Sequence, residues 1–469
     1  VFFRFGGLRR EIFVDVSVIG LGKLGAPLAA VLASKGHRVI GVDLNAEFVR
    51  LLSLGKAPVE EPRLQELIDV SRGRLKATVD VGAAVLGSDI TFIIVPTPTD
   101  SKGAFSNKYV LAAVNEIGNA LRKKGNYHVV SITSTVMPGS TGGEIRDALE
   151  ATSGRKIGKD VGLCYSPEFI ALGNVVRDML YPDLILIGES DPRAGEVLET
   201  IYRATCENEP SVRRMNFVNA ELTKLSVNTY ITTKISYANM LADICDHLPG
   251  ADVDVVTGAL AMDSRIGGKY LKGALGYGGP CFPRDNLALS QLARTIGARA
   301  DVAEATDRVN GYQIDRLTAA VRSFVAPNKR VAILGLSYKP DTAVIEQSQG
   351  VALASRLADE GYEVVVYDPM ALPAALAVLG DKVTATESAD ACVSMADMAV
   401  VTTPWPQFQE LSALALARPN GRIPVLDCWR ILPKGLLSAY ADVVHLGHGD
   451  REALAIEYRT EHGRSAAAS

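Results

Sequence analysis

Short apolar runs alternate with helix-length stretches along most of the chain. Val14-Asp-Val-Ser-Val-Ile19 reads as a buried strand, Ala26 to Lys35 as a helix, and Gly36 to Asp43 as a second strand. Asp89–Val95, His128–Thr133 and Val161–Tyr165 continue the alternation. Near-continuous apolar runs separated by helical segments predict parallel strands buried on both faces. From about Arg213 the pattern changes: Asn219 to His247 holds neither glycine nor proline and predicts one long helix. A further helical run ends at Phe324. A second α/β unit then begins, with strand Arg330–Leu334, helix 348–360, strand Tyr362–Tyr367, and later strands Met398–Thr402 and Ile423–Cys428.

The first strand runs straight into Gly20-Leu-Gly22-Lys-Leu-Gly25, and Asp43 ends the second strand, 23 residues after the first glycine. In a strand–turn–helix–strand setting this spacing is a dinucleotide fingerprint: glycines let a pyrophosphate approach the backbone at a helix N-terminus. Asp43 would accept hydrogen bonds from ribose hydroxyls and repel a 2′-phosphate, which favours NAD over NADP. Gly20, Gly22, Lys23, Leu24, Gly25 and Asp43 are therefore candidate cofactor contacts. Pro96-Thr97 and Ser134-Thr135 follow later strands, at the sheet edge where doubly wound folds place ligands. The second unit echoes the first, but in Gly335-Leu-Ser-Tyr-Lys-Pro-Asp-Thr342 the second and third glycines are replaced. The predicted fold is α/β: two Rossmann-like doubly wound domains, 1–212 and 327–469, joined by a central helical dimerisation domain, 213–326. The polar tail is expected to fray from about Gly449, and the charged start to be a loose arm rather than a secretory signal.

Gly276-Tyr-Gly-Gly-Pro-Cys281-Phe-Pro-Arg-Asp285-Asn286 surrounds one cysteine with glycine and proline just ahead of a helical pattern. A thiol at a helix N-terminus is biased toward thiolate, the nucleophilic form; a buried thiol in a tight turn is the alternative. Glu168, in Ser166-Pro-Glu-Phe169, follows a strand and reads equally as a general base or a helix cap. Lys224 and Asn228 are i and i+4 on the long helix, so they share a face that either grips an oxyanion or meets solvent.

Composition narrows the function. The chain has 469 residues, 48% hydrophobic and 22% charged, with net charge −4, so neither nucleic acid nor an anionic membrane is expected as a partner. Its six cysteines are scattered without a Cys-x-x-Cys pair, as suits a reducing cytoplasm, and no metal site is expected. His445 and His448 lie close together and read as surface or loop residues.

Taken in order, the fingerprint, long helix, glycine-wrapped cysteine and second Rossmann-like unit resemble the UDP-glucose/GDP-mannose dehydrogenase family over roughly residues 14 to 445. Gly276-Tyr-Gly-Gly-Pro-Cys-Phe-Pro-Arg-Asp285 carries the resemblance most specifically, with Ser166–Phe169, the Lys224/Asn228 pair and Arg265-Ile-Gly-Gly-Lys-Tyr-Leu-Lys272. The resemblance implies a four-electron, NAD-dependent oxidation of a nucleotide-sugar 6-hydroxyl to a uronate, with Cys281 as nucleophile and UDP-glucose as first-choice substrate. It implies oxyanion stabilisation by Lys224 and Asn228, an Asp285 that positions a water or shuttles protons, and Thr135 with Glu168 ordering water, Glu168 as base. Phe169, Arg265, Tyr270, Leu271, Lys272, Gly278 and Lys339 would meet the nucleotide sugar, Arg265 across a dimer interface, while Pro96, Thr97, Thr135, Glu168 and Arg284 would complete the cofactor site. Four positions depart from the family pattern: Pro280 stands for serine, Arg284 for lysine, Glu346 for arginine and Phe48 for a basic residue. The alternative is the same chemistry on UDP-N-acetylmannosamine, UDP-N-acetylglucosamine or -galactosamine, or GDP-mannose; a two-electron β-hydroxyacid dehydrogenase and a non-catalytic nucleotide-sugar sensor are the more distant readings.

Overall fold

The computed structural model describes residues 4–6, 11–419 and 421–450. The chain packs as two units, Val1–Ser226 and Val227–Ser469.

In the first unit, β1 (Arg4–Gly6) and β2 (Glu11–Phe13) form an antiparallel pair. The main sheet follows, with β3 (Asp15–Ile19), β4 (Arg38–Val42), β5 (Leu75–Thr78), β6 (Ile90–Ile93), β7 (His128–Ile132), β8 (Val161–Tyr165), β9 (Leu184–Glu189) and β10 (Ser211–Met215). Their order is β10-β9-β8-β7-β6-β3-β4-β5. β3 to β8 are parallel, whereas β9 pairs antiparallel with β8 and parallel with β10. Every residue of β6, β7 and β8 is buried, which is why their sequences are apolar runs without alternation. Chain order reverses between β3 and β6, and the loops leaving those strands diverge there to make a ligand crevice.

The helix Phe217–Asp246, 30 residues and about 45 Å long, starts in the first unit and continues into the second. There the helices Val253–Ala261, Phe282–Thr295 and Asp301–Phe324 join it. A six-stranded parallel sheet follows: β11 (Arg330–Leu334), β12 (Glu363–Tyr367), β13 (Val383–Ala385), β14 (Met398–Val401), β15 (Ile423–Asp427) and β16 (Ala441–His445), in the order β13-β12-β11-β14-β15-β16. Its reversal falls between β11 and β14. A buried ion pair ties the end of this sheet to the long helix: Arg316 reaches Asp246 at 2.6 Å, and the other Asp246 oxygen accepts from the Gly447 amide at 2.7 Å.

Several expectations need adjustment. Arg4–Gly6 is paired with β2 rather than loose. The first sheet takes in β10 and so runs past residue 212. The helical run before Phe324 is two helices, parted where Gly297 takes φ +75°. His445 is not a surface residue: it closes β16 and is buried, with Nε2 3.8 Å from Asp427. The expected fraying falls at 451–469, outside the described residues, while Gly449 is held by the Ala251 carbonyl. Among the described residues no helix is long and apolar enough to cross a membrane, and no group of His, Cys, Asp and Glu is arranged to hold a metal.

Candidate active site

The first unit presents a dinucleotide cradle after β3. Gly20 takes φ +100°, and a methyl on Gly25 would overlap the Gly20 carbonyl, so both are required by the turn itself. Gly22 is different: a methyl there would meet nothing within 4 Å. Its lack of a side chain leaves the backbone bare toward the crevice, as close approach of a pyrophosphate requires. Asp43 accepts from the Leu21 amide at 2.6 Å and the Asn45 amide at 2.7 Å, which holds its half-buried carboxylate over the turn. These residues fit an NAD molecule. Lys23 is exposed and Leu24 half-buried beside them, while Phe48 packs against the core instead of supplying a charge.

The loops after β6 and β7 are knitted together. Ser134 accepts from the Val95 amide at 2.9 Å and donates to the Val95 carbonyl at 2.7 Å; Thr97 donates to the Thr135 carbonyl at 2.7 Å. Thr97 is buried and fixes the Thr135 loop, while Pro96 is exposed and Thr135 half-buried. Glu221, which sequence reasoning missed, accepts from the Gly139 and Thr141 amides at 2.6 and 2.7 Å and anchors the same loop to the long helix. An acid three residues before Lys224, on the same helical face, is the signal that was available.

Glu168 caps no helix: the next one is Val175–Leu180, with Asn174 at its N-cap. Its Oε1 is closed off from solvent and has no hydrogen-bond partner. Burial raises the carboxyl to about 7, with the Lys224 charge and the Tyr202 hydroxyl pulling the other way. Lys224 is buried, donates to the Glu168 carbonyl at 2.7 Å and lies 4.6 Å from the centre of the Phe169 ring. The solvated-surface reading of Lys224 therefore does not hold.

The second unit carries the cysteine loop. Cys281 is exposed and stands at the N-cap of Phe282–Thr295; Cys164, Cys245, Cys392 and Cys428 are buried and Cys206 is half-buried, its thiol pushed by burial up to about 11. Asparagines, none singled out from sequence, hold the loop. Asn239 donates to the Leu275 carbonyl and accepts from the Ala274 amide, both at 2.8 Å; Asn310 grips the Tyr277 amide and carbonyl at 2.7 and 3.1 Å. Each amide side chain thus replaces a peptide neighbour for chain that has no strand partner. Asn286 donates to the Tyr277 hydroxyl at 2.7 Å, and that hydroxyl donates to Asp307 at 2.6 Å.

Asp285 is buried on the first turn after Cys281. Its Oδ2 accepts from Asn228 Nδ2 at 2.6 Å, and its Oδ1, 3.4 Å from the Arg284 guanidinium, has no hydrogen-bond partner. Asn228 is thereby directed at the cysteine turn. Arg265 stands apart on an exposed turn, paired with Asp263 at 2.6 Å. Its loop is fastened by Lys234, which donates to the Ile266 and Gly267 carbonyls. Tyr270 and Lys272 are exposed and Leu271 is buried.

The second half-fold differs from the first in one informative way. A methyl on Gly350 would overlap the Gly335 carbonyl, as one on Gly25 would overlap Gly20. The third glycine is therefore displaced by ten residues, not lost. The intervening chain forms a loop that carries half-buried Lys339. Asp368, the counterpart of Asp43, is buried: one oxygen accepts from the Leu336 and Ser337 amides, the Ser337 hydroxyl and the Trp405 indole, the other from the Met370 and Ala371 amides. Its acceptor sites are filled by the chain, so it does not offer itself to a ribose diol as Asp43 does.

Comparison with known proteins agrees with this geometry. Models of the UDP-glucose/GDP-mannose dehydrogenase family match residues 14–206 (NAD binding domain), 218–312 (central domain) and 332–434 (UDP binding domain). UDP-glucose 6-dehydrogenase AglM of Haloferax volcanii is 37% identical over 402 residues, 85% of this chain and 93% of that protein. GDP-mannose 6-dehydrogenase of Pseudomonas syringae is 32% identical over 75% of this chain and 80% of its own length. The structure of a UDP-glucose dehydrogenase from the archaeon Pyrobaculum islandicum superposes with TM-score 0.85 at 32% identity, covering 94% of this chain and 99% of that one. With both sheets and the intervening helices matched in order, the chain belongs to the UDP-glucose/GDP-mannose dehydrogenase family, the NAD-dependent nucleotide-sugar 6-dehydrogenases.

Proposed function

We propose that the protein oxidises the C6 hydroxyl of UDP-glucose to the carboxylate, through a covalent intermediate on Cys281. The observation that carries this reading is the exposed Cys281 thiol at the N-terminus of a 14-residue helix, with Asp285 buried on the same turn and Asn228, from the long helix, donating to it. The helix end favours the thiolate. The similarity to UDP-glucose dehydrogenases over most of the chain supports the choice of sugar.

Bound NAD would accept a hydride from C6 in each of two oxidation steps. As the first hydride leaves, the hydroxyl proton would pass to a water held by Asp285, and C6 becomes an aldehyde. Cys281 sulfur adds to that carbonyl, giving a thiohemiacetal whose oxyanion Asn228 and Lys224 would stabilise by donation. Loss of the second hydride leaves a thioester. Glu168, its carboxyl raised to about 7, takes a proton from water as the water adds. The C–S bond then breaks, the thiolate returns, and the carboxylic acid gives its proton to solvent and leaves as the carboxylate. Lys339, Arg265, Tyr270, Leu271, Lys272, Phe169 and Gly278 are assigned to the nucleotide sugar, and Arg284, Pro96, Thr97 and Thr135 to the cofactor side. Tyr230, Tyr237, Met240 and Ile244, exposed at intervals of three, four and seven along the long helix, support self-association. The scattered free thiols support a cytoplasmic location.

The test is NADH formed per sugar consumed by the purified protein with UDP-glucose, beside Cys281→Ser. Two NADH per UDP-uronate, lost in the variant, is the expected result. One NADH per sugar with activity retained in the variant overturns the covalent route. Turnover only with GDP-mannose or an N-acetylated UDP-sugar overturns the substrate.

A further inference from the structure

The loop between Gly335 and Gly350, lengthened by ten residues, meets the cysteine loop through Tyr338, Glu346 and Gln347. The Gly279 amide donates to the Glu346 carbonyl at 2.8 Å. A methyl on Gly278 would collide with the Gln347 carbonyl, and one on Gly279 would lie 2.6 Å from the Tyr338 ring. Gly279 itself takes φ +81° and Gln347 takes φ +54°, a left-handed conformation unusual for a residue with a side chain. The loop is anchored elsewhere as well. Tyr338 N–H donates to the Val344 carbonyl at 3.0 Å, the Ser337 carbonyl accepts from Thr403 at 2.8 Å, and Ser348 caps the helix Gln349–Asp359. Burial, then the neighbouring Cys281 thiol, hold the Tyr338 hydroxyl well above its ordinary range, so it stays a neutral phenol.

We propose that Tyr338 is a positioning residue for Cys281: its ring, with the Glu346 and Gln347 carbonyls, fixes Gly278–Gly279 and so holds the thiol at the helix N-terminus. The inference rests on the reading of Cys281 as nucleophile. It assigns a purpose to the inserted loop that the Lys339 contact alone does not: the segment expected to receive the nucleotide also sets the place of the sulfur.

The readout is independent of turnover. Cys281 is alkylated with iodoacetamide across pH 5 to 10, the rate followed by peptide mass spectrometry at that cysteine in the full-length protein. Tyr338→Ala is expected to move the midpoint of the rate profile up by about one unit, alkylating about ten-fold more slowly at neutral pH, because a thiol released from a helix N-terminus returns toward about 8.5. Tyr338→Phe keeps the ring and is expected to stay within about two-fold of wild type. Gly278→Ala keeps the Tyr338 side chain but pushes the loop off Gln347, with its methyl 3.3 Å from the Tyr338 Cβ, and is expected to reproduce the alanine profile; it carries the test if Tyr338→Ala does not fold. In steady state the shift appears as a lower kcat with the KM for NAD unchanged. A wild-type profile in both Tyr338→Ala and Gly278→Ala, or an ordinary thiol profile in the wild type itself, overturns the proposal. A protein that oxidises no nucleotide sugar but shows the shifted profiles would lose the activity proposed above while keeping this one.

Discussion

The Lys224 ammonium donates to the backbone carbonyl of Glu168, 2.7 Å away, while its charge also favours ionisation of the Glu168 carboxyl. One side chain thus sets both the place and the protonation of the candidate base. In Lys224→Met the lost charge should move the acid limb of the kcat–pH profile upward, and the lost oxyanion contact should lower kcat by about 10²–10³. Lys224→Arg should not restore it, since a planar guanidinium cannot take the place of a point donor packed on Phe169. Steady-state rates from pH 5.5 to 9 check this; an unmoved limb would mean that Lys224 acts on the carbonyl alone.

Glu168 makes a second prediction, with a sign. As a base it acts when deprotonated, so thioester hydrolysis should rise with pH through about 7 and level off above. For stability the direction reverses. The folded carboxyl titrates above its unfolded value of about 4.3, so the stability it contributes is full below that value and is lost as pH rises through about 7. Glu168→Gln should therefore be more stable than wild type at pH 8 by about 3–4 kcal/mol, and no different at pH 4. Urea unfolding at the two pH values decides it.

The glycines of the two half-folds should separate cofactor binding from folding. Gly22→Ala adds a methyl to open space in the cradle, so the melting temperature should hold while the KM for NAD rises ten-fold or more, as when close approach is blocked. Gly25→Ala and Gly350→Ala each drive a methyl into a backbone carbonyl and should cost about 2–4 kcal/mol of stability. Thermal unfolding beside NAD titration distinguishes the two classes.

Arg316→Met should be the more damaging surgery. It leaves Asp246 charged, buried and without its guanidinium partner, at a cost of about 3–5 kcal/mol; Arg316→Met with Asp246→Leu should recover part of it. Recovery will stay incomplete because Asp246 also holds the Gly447 amide. A double-mutant cycle by denaturant unfolding measures the coupling.

Much of this was legible in the chain because burial on two faces writes itself as an apolar run: β8 and β11 match their sequence expectations residue for residue. Edge strands do not advertise themselves in this way. β5, Leu75-Lys-Ala-Thr, and β10, Ser211-Val-Arg-Arg-Met, are partly exposed and mixed in character, and only their neighbours' backbone makes them strands. In the candidate site, the residues singled out from sequence, Cys281, Glu168, Lys224 and Asp43, are those whose chemistry is visible in their type. The holders were not singled out. Asn239, Asn310 and Glu221 act through loops far away in sequence, and an asparagine gripping a peptide has no local signature. Gly350 escaped because the fingerprint was read at its usual spacing, and an insertion moves the glycine while preserving the contact that needs it.

Asp368, saturated by its own chain, has a kinetic consequence. With the first half-fold alone offering its acid to a ribose, the proposed removal of two hydrides would have to empty and refill one cradle between them. The half-oxidised sugar must then outlast a cofactor exchange, and its escape competes with that exchange at every turnover. The proposed anchor through the Cys281 sulfur would convert that race into an ordered queue, with the reactive carbonyl unable to leave until the second acceptor has come and gone.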